Sequence, residues 1–97
     1  ISRGGGPPLK INYKMRYVGD ISSTDNYKIA LYTWNGKYIV KVEAGLYEQT
    51  YKVSEMDFLG DEADIRKLFT DEAFLKTIFA RFNQMHADFQ EAIERNE

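Results

Sequence analysis

The residues with the clearest chemical potential alternate along residues 28–41, KIALYTWNGKYIVK. Lys28, Tyr32 and Trp34 share one parity before Asn35-Gly36, and Lys37, Ile39 and Lys41 share one parity after it. In extended chain, residues two apart point to the same side, so these cations and rings gather on one surface. Lysine ammonium groups displace counterions from phosphates, and exposed rings offer π faces on which unpaired bases stack. Lys14 and Arg16, from an earlier alternating run, are expected on the same surface, as are Lys10 and Lys52. The candidate nucleic-acid-binding set is therefore Lys14, Arg16, Lys28, Tyr32, Trp34, Lys37 and Lys41. A plainer reading competes with it: any sheet with one wet face puts its lysines there, and Tyr, Trp and Ile favour strands anyway.

Other candidates for chemistry are weaker. His86 is the single histidine and the chain has no cysteine, so no familiar zinc site can be assembled. Nothing nominates a nucleophile and an orienting group for His86 to serve as a base. Asp57, Asp61, Glu62 and Asp64 crowd together, but their spacing fails the alternate-position ligand pattern of a calcium loop. Carboxylates at a helix start favour the helix dipole, which accounts for them. Gly4–Gly6 precede no strand–helix turn of the phosphate-binding kind. The expectation is a non-enzymatic module with no catalytic residues, no metal and no cofactor. No membrane partner and no small-molecule substrate are nominated.

The elements that must position this surface follow from periodicity. Residues 27–44 read as a β-hairpin closed by Asn35-Gly36, a pair suited to the two positive-φ positions of a type I′ turn. One hairpin face is then apolar, with Tyr27, Ile29, Leu31, Tyr38, Val40 and Val42, and the other is basic and aromatic. Residues 9–19, LKINYKMRYVG, alternate as a long strand with Met15 and Tyr17 on the apolar side and Arg16 and Val18 on the wet side. Residues 20–26 read as a polar loop. Gly45 marks the next reversal, and residues 46–53 form a fourth strand with Glu48 expected opposite Lys41. Gln49 falls on the apolar face, where its amide needs backbone or water near an edge.

Residues 54–60 connect to helices. Asp61 with Asp64 predicts an N-cap for a short helix presenting Ile65, Leu68 and Phe69. Thr70 is expected to cap a second helix over about 71–95, with Phe69 and Phe74 as a hydrophobic staple. Leu75, Ile78, Phe82, Met85 and Phe89 step by three and four along it. That stripe can cover a sheet and also touch a partner, so these five are the candidate interface of a homodimer.

The fold class is thus α+β: a four-stranded antiparallel meander followed by one short and one long helix packed on one face. Residues 1–8, ISRGGGPP, read as a flexible Gly/Pro tail, and 9–97 as a single β-β-β-β-α-α domain. The chain begins at Ile1 rather than Met and is expected to be a fragment or processed product. No apolar run approaches the roughly 20 residues of a membrane span. The absence of cysteine fits a reducing, cytoplasmic setting.

The formal charge of −2 conceals a polarity. Residues 1–53 carry eight Lys/Arg against four Asp/Glu, while 54–97 carry five against eleven. A basic half joined to an acidic half speaks to partners more than the mean does.

This element order, with the alternating basic-aliphatic strand Tyr38-Ile39-Val40-Lys41-Val42 after a tight turn, resembles the Whirly and PUR-repeat single-strand-binding families. The resemblance implies a sheet that binds single-stranded DNA or RNA and helices that pair two copies into a homodimer. A protein-interaction or assembly domain using the helix stripe is the alternative.

Overall fold

The computed structural model describes residues 15–97. Four strands run in chain order across one antiparallel sheet: β1 (Arg16–Ser23), β2 (Lys28–Trp34), β3 (Lys37–Ala44) and β4 (Tyr47–Ser54). Two helices follow, α1 (Glu62–Leu68) and α2 (Glu72–Arg95). The class is α+β, as expected. The proposed tail, residues 9–14 of the first strand and Lys14 lie outside the described residues.

The central hairpin forms as its sequence requires. Asn35 and Gly36 take φ of 51° and 74°, and Trp34 pairs with Lys37. Gly45 also has positive φ, 62°, while Leu46 does not, the pattern of a Gly-first type II′ turn. This two-residue turn pairs Ala44 with Tyr47 and therefore Glu43 with Glu48. Glu48 thus faces another carboxylate and not Lys41, which stands opposite Thr50.

The first strand departs most from expectation. It continues through residues 20–23 and carries two register shifts, between Tyr17 and Gly19 and between Asp20 and Ser22. Each shift sets two residues of β1 against one of β2, so side-chain parity changes. Val18 and Ile21 consequently pack against the core. Tyr17 is paired with Tyr32 and Arg16 with Thr33. Tyr17 therefore belongs to the face away from the helices and Arg16 to the helix side, the reverse of the simple alternation.

The core lies between the sheet and the helices. Ile29, Leu31, Val40 and Val42 meet Ile65, Phe69, Ile78 and Phe82, all buried. Each such side chain contributes about 1.5–3 kcal/mol by leaving water. Polar groups at this interface are satisfied: Gln49 Nε2 donates to the Ile78 carbonyl at 2.8 Å, and Tyr51 Oη donates to Gln49 Oε1. Tyr51, Phe69 and Phe74 meet at centroid distances of 5.2–5.6 Å.

The helix starts are capped by aspartates. Asp61 and Asp64 form a reciprocal capping box, with Asp64 N–H donating to Asp61 Oδ1 and Asp61 N–H to Asp64 Oδ2. The bond from the Asp64 backbone N–H is the largest cause holding the Asp61 carboxyl below its usual pKa. Gly60 enters this cap so closely that a Cβ there would sit 2.6 Å from the Asp64 side chain. The cap of α2 is Asp71, whose Oδ2 accepts from Phe74 N–H at 3.1 Å. Thr70, expected in that role, instead donates its hydroxyl to the Lys67 carbonyl at the end of α1. No described helix is long and apolar enough to cross a membrane.

Candidate nucleic-acid interface

The sheet face opposite the helices is read from the strand registers, because residues directly across a ladder share a side. Nearest the Asn35-Gly36 turn stand Trp34 and Lys37, with Ser54 beyond. The next row is Tyr17, Tyr32, Ile39 and Lys52, and the next is Asp20, Ala30, Lys41 and Thr50. Ser23, Lys28, Glu43 and Glu48 complete the far end. The face is polarised: the two rows by the turn hold three rings and two lysines without a carboxylate, and Lys41 lies one row on.

Within that half, the Tyr17 and Tyr32 rings lie 5.6 Å apart with a 58° tilt. The Lys41 ammonium sits 5.4 Å from the Tyr32 ring centroid, and Lys37 sits 5.6 Å from that of Trp34. These are cation–π distances. Tyr17 is 53% exposed, whereas Tyr32 and Trp34 are half-buried. Ile39 is only 1% exposed and belongs to the sheet's packing, beside Met15, Lys41, Thr50 and Lys52.

Asp20 orients the edge of this cluster. It accepts a 2.7 Å hydrogen bond from Tyr17 Oη and approaches Lys28 at 3.9 Å. The bond to Asp20, and then the loss of water around the ring, raise the Tyr17 pKa above 10.0. Both partners of the Asp20–Lys28 pair are well exposed, so it contributes little to stability.

Of the expected site residues, Lys28, Tyr32, Trp34, Lys37 and Lys41 share the face away from the helices, in whose middle Ala30 and Ile39 are 3% and 1% exposed. Arg16 does not share it, and Lys14 is outside the described residues. Tyr17 is the ring that alternation misses. Gly19 inside an otherwise regular run is the available signal, since glycine in a strand marks a bulge.

The candidate interface on α2 is also redistributed. Ile78 and Phe82 are buried in the chain's own core, and Leu75 and Met85 pack partly against it. Phe89 alone of the five is largely exposed, at 55%. His86 stands beside it with Nδ1 3.0 Å from Tyr47 Oη.

No known family, curated protein or solved structure matches the chain.

Proposed function

We propose that the turn-proximal half of the sheet face away from the helices binds single-stranded nucleic acid. The observation that supports this is the Tyr17–Tyr32 pair with Lys41 above Tyr32, where Asp20, bonded to the Tyr17 hydroxyl, is the one carboxylate in the three rows nearest the turn. A base stacked on the exposed Tyr17 ring would leave its phosphates within the field of Lys37, Lys41 and Lys52. Stacking needs no particular base edge, so the reading is of binding with weak sequence preference. DNA and RNA are both accommodated, because nothing at this surface is reserved for a 2′-hydroxyl. No bond is made or broken, and the role is that of a binding module.

Labelled oligo-dT and oligo-U titrated at two salt concentrations test it. Dissociation constants below about 100 μM at low salt, weakening steeply as salt rises, are expected for cations that release counterions. Absence of binding in that range overturns the proposal.

A further inference from the structure

Helix α2 overruns the sheet it covers. It lies antiparallel to β4: Phe74 meets Tyr51, the Ile78 carbonyl meets Gln49, and His86 and Phe89 meet Tyr47. Tyr47 is the first residue of β4, so the sheet ends there. The helix has 24 residues against 8 in the strand. That is about 36 Å against about 27 Å. Ile93 lies one turn beyond Phe89 on the helix and is 40% exposed.

The turn itself presents Leu46, which is 99% exposed. A type II′ turn needs glycine at its first central position but no apolar residue at its second. Leu46 and Phe89 thus line one hollow at this end of the molecule, with Ile93 one helical turn further on, and Phe89 touches Tyr47 edge-on at 6.3 Å, joining this patch to the core.

The charge around the patch is predominantly negative. From residue 82 onward α2 and its end carry Asp88, Glu91, Glu94 and Glu97 against Arg95. On the sheet side of the turn, Glu43 and Glu48 are paired directly across the ladder and both are exposed, on the rim of the face away from the helices, with Lys28 on the other side of Glu43. Like charges so placed repel.

We propose that this overhanging end docks a basic amphipathic helix of a partner protein. Its apolar residues would cover Leu46, Phe89 and Ile93, and its lysines or arginines would meet the surrounding carboxylates. Charge complementarity selects this occupant. A second copy of the chain pairing through the same patch would bring acidic helix ends together, which disfavours self-association. The site lies at the opposite end of the sheet from the proposed nucleic-acid surface and does not depend on it.

The probe is a synthetic Leu/Lys peptide of about five helical turns with leucines on one face. Its scrambled isomer and a Leu/Glu version serve as controls. Binding of the amphipathic peptide at least about tenfold tighter than of the scrambled isomer is expected. Leu46→Ser and Ile93→Ser should each weaken it by about tenfold, with unchanged melting temperature. Glu48→Lys with Glu94→Lys should weaken it further and flatten its salt dependence. Equal affinity for both Leu/Lys isomers, indifference to these variants, or preference for the Leu/Glu peptide overturns the proposal. So does sedimentation of the wild type as a dimer that Leu46→Ser dissociates, which would make a second copy the occupant.

Discussion

Tyr17 and Tyr32 face one another across β1 and β2 with ring centroids 5.6 Å apart, on the side of the sheet that the helices leave open. The Val18–Gly19 bulge brings Tyr17 there, and Asp20, the residue after the bulge, holds its hydroxyl at 2.7 Å. The proposed binding surface therefore depends on an irregularity in one strand.

Tyr17→Ala should leave the fold intact, because the ring is more than half exposed. It should weaken oligonucleotide binding by about 1–3 kcal/mol, the contribution of one stacked base. Lys37→Glu with Lys41→Glu should weaken binding and reduce its salt slope. Fluorescence anisotropy measures both, and an unchanged affinity in the tyrosine variant would remove Tyr17 from the surface.

The Tyr17 hydroxyl should titrate above 10.0, and Asp20→Asn should bring it down, since the bond to the carboxylate is the largest cause of the shift. This contribution to stability is present below the unfolded-state pKa and lost as pH rises through the folded one. NMR of the assigned Tyr17 ring follows the titration. No difference between wild type and variant would show that the bond is absent in solution.

Gly36→Val should destabilise by about 1–3 kcal/mol. A Cβ at Gly36 meets no atom within 4 Å, so the cost is that of φ +74° and not of a clash. Gly36→Asn should cost much less, because asparagine tolerates this conformation. Thermal melts distinguish them, and equal losses would point to something other than backbone strain.

Phe82→Ala should cost about 3–5 kcal/mol, as its ring is 7% exposed within the sheet–helix core. Phe89→Ala should cost well under half as much, since its ring is 55% exposed at the end of the sheet. Denaturant unfolding reads both. Similar values would mean that the helix end is as deeply packed as its middle.

Asp71→Ala should cost about 0.5–2 kcal/mol, the usual loss on deleting an N-cap. Thr70→Ala should cost less, since its hydroxyl bonds one carbonyl at the end of α1. The reverse order in chemical denaturation would restore Thr70 as the cap.

Several features were legible in the sequence because they rest on local sterics and short periods. Asn35-Gly36 can take two positive φ values, so the hairpin and its register follow from the dipeptide. Asp61 ahead of Asp64 and Ile65 marks an N-cap without reference to the rest of the chain, and the structure adds the reciprocal bond that makes it a capping box. The 3–4 spacing of Leu75, Ile78, Phe82 and Met85 marks the face of α2 that meets the sheet. Tertiary structure decided what depends on one element's position against another. The strand period is two, so a single inserted residue at Val18–Gly19 exchanges the faces of Tyr17 and Arg16, and alternation contains no count of such insertions. Thr70 and Asp71 are both competent caps, and the choice between them lies in where α1 ends and α2 departs. The apolar stripe of α2 is continuous in sequence through Phe89 and Ile93. Only the place where β4 stops divides it into buried core and exposed surface, because burial needs a sheet beneath the helix and the sheet is the shorter of the two.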